Sequence, residues 1–246
     1  MKTLMRYLPL LLIALVWQLV GQLGLVSSLK LPALSAVVTA WYKLAQSDEL
    51  LTNGLASLYR GSCGLLLAIG IGTILGIAMA WWRWADTMFG SVVEMFYPMP
   101  KSALIPVTAL WLGLGDGSKI LLIFLGCMLP VTLGAYNGAR SSDQTLVWSS
   151  RSMGASRLRV LWDVVLPSAL PELLNGIRTA IALSFILLVT SEQIVARQGF
   201  GYLIGSLGSN GSYDAMFAVI MTVALLGFGA DRFYQILMHR VLAWRD

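Results

Sequence analysis

The chain has 246 residues, of which 57% are hydrophobic and only 12% are charged. Soluble domains carry about 25% charged residues, and a soluble core of this size cannot hide so much apolar surface from water. The net charge of +5 comes without a basic stripe and interleaved aromatics, which excludes nucleic acid as the expected partner. The composition therefore predicts an all-α, polytopic membrane helix bundle, with 1–246 forming one transmembrane domain.

Residues 7–26 form the first predicted span, and the segment 1–30 contains it. A run of about 20 apolar residues crosses a bilayer as a helix and is longer than the core of a signal peptide. No A-x-A site follows it at the right distance, so we expect a retained span. The mixed segment 31–58 is expected to form an external amphipathic connection.

The second predicted span, 60–82, carries small residues at every fourth position. Positions four apart lie on one helix face, and small residues there let two backbones approach closely. The spacing predicts a packing seam, either within the bundle or between two subunits, and general Gly/Ala enrichment of membrane helices is the alternative. The seam consists of Gly64, Ala68, Gly72, Gly76 and Ala80.

The third predicted span, 87–114, contains three prolines and is expected to be broken, because proline removes a backbone donor and kinks a helix. Residues 87–99 are then expected at the interface, with 101–114 spanning. If the whole segment spans, Glu94 and Lys101 form a charge pair inside the membrane. The remaining predicted spans, which complete a five-span core over 60–238, are 118–139, 170–195 and 214–238.

Six spans place both termini on one side of the membrane, and the basic residues select that side. Cytoplasmic loops carry an excess of Lys and Arg. We expect cytoplasmic termini in a bacterial inner membrane, because this orientation puts nine basic residues inside and four outside. The inner set is Lys2, Arg6, Arg83, Arg140, Arg151, Arg157, Arg159, Arg240 and Arg245, and the outer set is Lys30, Lys43, Lys119 and Arg197.

A polar stretch, SSRSMGASRLRVLWDVVLP at 149–167, lies in the cytoplasmic loop predicted at 140–169. Apolar residues at i, i+3 and i+7 predict a surface helix of about three turns. Gly154 interrupts the pattern, and Pro167 is expected to end the helix. Periodicity leaves two uses open, contact with lipid headgroups or with a soluble partner. The predicted apolar side comprises Leu158, Leu161, Trp162, Val165 and Leu166.

This stretch resembles the signature loop of binding-protein-dependent ABC importer permeases: glutamate-Ala-Ala, three residues, Gly, nine residues, Ile, one residue, Leu-Pro. Gly154, Val164 and the Leu-Pro at 166–167 keep the family's spacing. Trp148 stands where the family has its glutamate, and serines follow where it has alanines. The segments similar to the nitrate/sulfonate/taurine branch of that family are 97–123, 176–194 and 199–204.

The resemblance implies a type I ABC importer permease that moves a small sulfonate, nitrate or similar anion by alternating access. Two cytoplasmic ATP-binding subunits would bind ATP and magnesium, so this chain is expected to need no cofactor and to be no enzyme. A second permease copy and an extracytoplasmic substrate-binding protein would complete the assembly. The residues that the resemblance assigns to a coupling helix are Ser149, Ser150, Arg151, Gly154, Ala155, Arg157, Val164, Leu166 and Pro167.

Ionisable groups within spans are costly and are candidates for function. Glu192, near the outer end of the fifth span, is expected either in the translocation path or in an interhelical or interfacial structural role. We expect no metal site and no catalytic residue, since the sequence holds one histidine and no nucleophile with a plausible base. The candidate path residues are Pro100, Lys101, Thr190, Ser191 and Glu192.

Two other cargo and mechanism classes stay open. The same permease class also imports thiamine precursors, amino acids and osmoprotectants, and the sequence does not name the cargo. An ion-coupled secondary transporter would need paired intramembrane carboxylates or inverted half-repeats. Neither is visible in the sequence, so this is the weaker alternative.

Overall fold

The computed structural model describes residues 2–27 and 29–243, with side chains from residue 8 onward. Every regular element in these ranges is helical, which confirms the all-α prediction. The helices are α1 (Lys2–Gln22), α2 (Leu34–Gln46), α3 (Glu49–Trp81), α4 (Arg83–Phe96), a 3-10 turn (Lys101–Leu104), α5 (Ile105–Leu112), α6 (Asp116–Arg140), α7 (Gln144–Ser152), α8 (Arg157–Val160), a π turn (Leu161–Val165), α9 (Leu166–Val195), α10 (Phe200–Ser209) and α11 (Tyr213–Val241).

The apolar segments predicted to cross the membrane are all helical, although their lengths differ from the expectation. The predicted first span lies in α1, Lys2–Gln22, and the predicted third span corresponds to a shorter apolar helix, Lys101–Leu112. The break expected in the third segment lies between Phe96 and Lys101, where two prolines interrupt the helix. The helices of the described ranges that are long and apolar enough to span are Glu49–Trp81, Asp116–Arg140, Arg157–Val195 and Tyr213–Val241.

The chain divides into two compact units, and the first comprises Met1–Ser57 and Glu192–Leu226. Its core forms where α2 buries Val37, Ala40 and Leu44, at i, i+3 and i+7, against residues of α10 and α11. The connection predicted at 31–58 is therefore mostly helical. It contains α2 and the first turns of α3, which begins eleven residues before the predicted start of the second span.

The second unit comprises Leu58–Ser191 and Gly227–Asp246, and the small-residue seam of α3 lies inside it. A Cβ atom added at Gly64 would lie 2.8 Å from the Ile123 side chain, and one at Gly72 would lie 3.0 Å from the Met128 carbonyl oxygen. The seam therefore faces α6 of the same chain. The other seam residues that pack within this unit are Ala68, Gly76 and Ala80.

Helices α6 and α9 also approach closely within the second unit. A Cβ atom at Gly134 would lie 2.6 Å from the Glu172 carbonyl oxygen, and one at Gly138 would meet the backbone of Ala169. On α9, Gly176 is equally restricted by the α6 backbone. The two helices that flank the polar segment are thus held backbone to backbone.

Candidate functional site

The polar segment folds as two helices joined by a tight turn. Asp143 caps the first helix, α7, by accepting a hydrogen bond from the Thr145 backbone N–H at 2.8 Å. Gly154 follows the end of α7 with φ of +88°. The Gly154 N–H donates to the Arg151 carbonyl at 2.9 Å, and the Ala155 N–H donates to the Ser150 carbonyl at 3.1 Å. This pair of bonds is a Schellman motif, which favours glycine at the left-handed position.

The second helix begins at once and does not stop where the sequence predicted. The Ser156 hydroxyl accepts from the Arg159 N–H at 3.3 Å and caps it. Helical backbone then continues from Arg157 to Val195, so the prediction that Pro167 ends the helix is wrong. Proline lacks the N–H that bonds four residues back. The preceding π turn, in which the Leu166 N–H donates to the Leu161 carbonyl, changes the bonding register just before that proline.

The apolar side expected for this helix is only partly buried. Leu161 and Val165 are buried as expected, and Leu166 is half-buried. Leu158 and Trp162, also expected there, are 63% and 67% exposed, and Val160 is buried although it was not expected on this side.

An apolar cluster fixes the base of the helix–turn–helix to the spanning helices. Its buried part consists of Ala139 of α6, Val160 of α8, Leu161 and Val165 of the π turn, and Ala169 of α9. Partly buried side chains from the end of α3, from α7 and from the turn pack against them. The nine residues assigned to coupling are brought together on this element. Its exposed members are Ser149, Arg151, Gly154, Arg157 and Pro167, and its half-buried members are Ser150, Ala155, Val164 and Leu166.

A polar cavity of about 320 Å³ opens beside the Gly154 turn. Its lining includes Ser150, Gly154 and Arg159, with Asp163 one helical turn beyond the arginine. Arg159 and Asp163 form an exposed ion pair at 3.3 Å. The turn therefore presents hydroxyl, backbone and charged groups together at the surface.

Glu192 lies in the first unit and is completely buried. The Ser57 hydroxyl lies 2.7 Å and 2.9 Å from its two carboxylate oxygens, and the Gly201 backbone N–H donates to it at 3.1 Å. The carboxylate therefore makes interhelical hydrogen bonds to α3 and α10. A place for Glu192 in a translocation path stays a prediction.

The same cluster satisfies the start of α10. The Gly199 N–H donates to the Asn53 side-chain oxygen at 2.7 Å, and the Phe200 N–H donates to the Ser57 hydroxyl oxygen at 2.8 Å. Helix N-termini leave backbone N–H groups without intrahelical partners. Here side chains from residues distant in sequence supply the hydrogen-bond acceptors. Gly199 has φ of +122°, and a Cβ atom there would strike the Glu192 carboxylate.

Sequence reasoning missed Asn53 and Ser57. The signal that could have found them is their spacing, since polar residues at i and i+4 lie on one face of a helix that is otherwise largely apolar. It also passed over Arg60, whose side chain is 7% exposed and pairs with Asp116 at 2.6 Å. Lys119 is buried in the second unit, as Arg60 is, and donates hydrogen bonds to the Leu114 and Gly115 carbonyl oxygens.

Three of the other candidate path residues donate hydrogen bonds to backbone carbonyl oxygens close to them in the sequence. The Thr190 hydroxyl donates to the Ile186 carbonyl at 2.7 Å, and the Ser191 hydroxyl donates to the Leu188 carbonyl at 2.9 Å. Pro100 precedes the 3-10 turn. The Lys101 ammonium donates to the carbonyl oxygens at the end of α4 and just after it, at 2.6 to 3.1 Å. Their role in transport stays a prediction.

Several apolar helices of spanning length, with a polar helix–turn–helix between two of them, define a multi-pass membrane protein. The family model described as binding-protein-dependent transport system inner membrane component matches residues 68–243. This match covers more than half of the chain. The chain belongs to that family and is a permease subunit of an ABC importer, which confirms the resemblance.

Curated relatives match over nearly their whole length. The taurine transport system permease protein TauC of Escherichia coli is 34% identical over 93% of this chain and 85% of its own. Two putative aliphatic sulfonates transport permease proteins, both called SsuC, are also similar. The one from Bacillus subtilis is 33% identical over 97% of this chain and 86% of its own. The one from Escherichia coli is 35% identical over 99% of this chain and 94% of its own.

Solved structures share the fold. The MetNI methionine ABC transporter, in an inward-facing conformation, gives a TM-score of 0.63 at 21% identity over 79% of this chain and 95% of its own. An amino acid ABC transporter with histidines gives a TM-score of 0.64 at 12% identity, over 81% of this chain and 95% of its own. The type I ABC importer permease fold predicted from the sequence is confirmed.

Proposed function

We propose that this permease imports small organic sulfonates, of the size of taurine and short alkanesulfonates. The observation that carries the proposal is the group of three relatives named for taurine or aliphatic sulfonates, each at least 33% identical over at least 93% of this chain. Nitrate and other small oxyanions belong to the same chemical class. The named relatives favour the sulfonate within it.

In the proposed assembly, two permease copies pair, and two ATP-binding subunits dock from the cytoplasm on the helix–turn–helix. Those subunits bind ATP and magnesium and hydrolyse the nucleotide, while a substrate-binding protein delivers the sulfonate from the opposite side. Both termini of this chain then lie in the cytoplasm. The excess of basic residues in the inner loops supports this orientation.

The proposed mechanism uses the helix–turn–helix as a lever for alternating access. The buried cluster around Val160 and Val165 fixes the lever to α6 and α9. Gly134 and Gly138 hold those two helices at backbone contact. Close-packed interiors transmit displacement instead of absorbing it. Movement of the ATP-binding subunits is therefore expected to shift the spanning helices with the lever.

Trp148 changes the proposed docking contact. The family's glutamate is replaced by an indole that is 67% exposed, and Met153 near it is 79% exposed. Large apolar side chains on a polar surface element typically mark a protein contact. We expect docking to rest on this apolar surface and on Arg151 and Arg157, both of which are exposed.

Growth on single sulfur sources tests the cargo. Cells that lack this gene should fail to grow with taurine or ethanesulfonate as the only sulfur source and should grow normally with sulfate. A plasmid copy of the gene should restore growth. Normal growth of the deletion strain on both sulfonates, with no other sulfonate importer present, would contradict the proposed cargo.

Substitutions at Gly154 test the lever. Gly154→Val places a β-branched residue at φ of +88°, which L-residues rarely adopt, and should reduce sulfonate uptake at least tenfold while the protein still inserts. Gly154→Asn is the matched control, because asparagine tolerates the left-handed region. It should retain most uptake. Equal uptake by the two variants would rule out a requirement for this turn.

A further inference from the structure

The C-terminal end of α11 carries a basic cavity that the transport mechanism does not use. The cavity measures about 370 Å³ and lies within the second unit. Its lining repeats along one helix face at i, i+3, i+4, i+7 and i+8, and no carboxylate belongs to it. The lining residues are Arg232, Gln235, Ile236, His239 and Arg240.

A network of side chains fixes the two residues that lie nearest the N-terminal end of this cavity, Arg232 and Gln235. Arg178 of α9 pairs with Asp231 through two bonds of 2.7 and 3.2 Å, and the Gln235 amide donates to the same carboxylate at 2.6 Å. Arg232 donates to the Gln235 side-chain oxygen at 3.1 Å, and its guanidinium stacks 5.3 Å from the centre of the Phe228 ring. Asp231 is therefore engaged by Arg178, while the hydrogen-bond and ring contacts of Arg232 are with neutral groups.

The two arginines of the cavity form no close ion pair in the described part of the chain, although Arg232 interacts with the Asp231 carboxylate at longer range. Neither Arg232 nor Arg240 forms an ion pair with a carboxylate in residues 8–27 or 29–243. The helix dipole explains basic residues in the last turn of a helix. It does not explain Arg232, which lies nine residues before the end of α11 at Val241. An external anion is the natural counterion.

The position along α11 indicates where that anion comes from. Residues 215–230 carry no charged side chain and extend about 24 Å along the helix axis at 1.5 Å per residue. The hydrocarbon core is about 30 Å thick. Arg232 therefore lies near the edge of the hydrocarbon, and Arg240 lies about 12 Å further along the axis. The cavity spans the level of lipid phosphates. Phe233 and Leu237, exposed beside it, offer apolar surface for acyl chains.

We propose that this cavity binds the phosphate headgroup of an anionic phospholipid, with Arg232 and Arg240 as its ligands. Guanidinium groups suit phosphate because they donate two parallel hydrogen bonds. Gln235 and Phe228 hold Arg232 in place, and the lipid tails lie along Phe233 and Leu237. The site is independent of the cargo and of the lever at Gly154.

Lipid titration of the purified full-length chain in a nonionic detergent tests the proposal. Dioleoyl phosphatidylglycerol should raise the thermal unfolding midpoint in a saturable way, and dioleoyl phosphatidylcholine should not. The double variant Arg232→Gln/Arg240→Gln should weaken the apparent affinity about 25-fold, since each arginine contributes about fivefold. Arg83→Gln, an exposed arginine outside the cavity, should leave it unchanged.

Two further measurements, on a single variant and on competition by free phosphate, test the proposal separately from any effect on folding. Arg240→Gln alone removes an exposed side chain outside the ordered network, so it should fold normally and still lose about fivefold in affinity. Inorganic phosphate should not compete with the lipid at millimolar concentration. Equal responses to the two lipids, unchanged affinity in both cavity variants, or displacement of the lipid by free phosphate would each overturn the proposal.

Discussion

Two glycine turns in this permease both require a positive φ, and different parts of the chain supply their hydrogen bonds. Gly154 and Gly199 both have positive φ, and both stand next to a helix end. At Gly154 the hydrogen bonds come from residues within five positions along the chain. At Gly199 and Phe200 the acceptors are side chains 146 and 143 positions away. One turn is built by its own neighbours, and the other by distant parts of the chain.

The surroundings of the two turns differ as well. A Cβ atom at Gly154 would meet nothing within 4 Å, whereas one at Gly199 would meet the carboxylate of Glu192. The same substitution therefore probes different physics. At Gly154 it tests backbone conformation alone. At Gly199 it tests conformation, space and a buried hydrogen-bond cluster together.

Gly199→Ala should have the largest effect on the free energy of unfolding. The backbone conformation of Gly199, with φ of +122° and ψ of 168°, is essentially restricted to glycine and costs another residue about 1–3 kcal/mol. Displacement of the carboxylate costs about 1–3 kcal/mol more. Thermal unfolding in detergent measures the sum. Gly211→Ala is the matched control, because Gly211 also has positive φ, +77°, but no neighbour within 4 Å of an added Cβ. Equal losses in the two variants would mean that the cluster around Glu192 adds nothing.

Ser57→Ala should have the next largest effect, about 2 kcal/mol, since it leaves the buried Phe200 N–H without its acceptor. Chemical unfolding monitored by intrinsic fluorescence measures the loss. Ser209→Ala, whose exposed hydroxyl donates to the Ser206 carbonyl, is the control and should change stability by less than about 0.5 kcal/mol. A neutral Ser57→Ala would show that water replaces the hydroxyl and that the cluster is not closed.

Gly154→Ala should cost about 1 kcal/mol, because only the left-handed conformation opposes it. Gly199→Ala is the natural comparison, since the substitution is identical while the surroundings and the backbone angles, φ of +88° against +122°, differ. Side-by-side thermal unfolding of the two variants tests it. A loss at Gly154 as large as the loss at Gly199 would refute the distinction between a locally built turn and a tertiary one.

Ser156→Ala should have the smallest effect, about 0.5–1 kcal/mol, because it removes a single exposed helix cap with a bond of 3.3 Å. Hydrogen exchange of the first amides of α8 is the sensitive measurement, since the change is confined to one helix end. Ser156→Asp, which keeps a capping oxygen, should restore protection. Protection unchanged in Ser156→Ala would mean that the cap contributes nothing there.

The helix–turn–helix was largely predictable because its determinants are local. The bend at Gly154 and the polar surface followed from the sequence, and Asp143 and Ser156 cap their helices as short polar residues do. Two details were wrong, the helix end at Pro167 and the burial of Leu158 and Trp162. The π turn at Leu161–Val165, which conventional periodicity does not contain, lies just before Pro167.

The cluster around Glu192 shows the opposite case. Its carboxylate stood out in the sequence, because an ionisable residue within an apolar segment is conspicuous. Its partners did not, since Ser57 lies 135 positions away on another helix. Likewise, small residues at every fourth position predicted that α3 has a packing face. Only the structure identified α6 as the helix it contacts.

The sequence by itself determined that this chain is an apolar helical bundle of the binding-protein-dependent permease class, with a polar helix–turn–helix whose bend falls at Gly154. These properties depend on composition, on helical periodicity and on caps closed within a few residues. The tertiary structure decided which helices pack, how the helix–turn–helix joins α9, and which residues accept the hydrogen bonds at the start of α10. Those outcomes depend on contacts between residues far apart in the chain, and no local pattern specifies them.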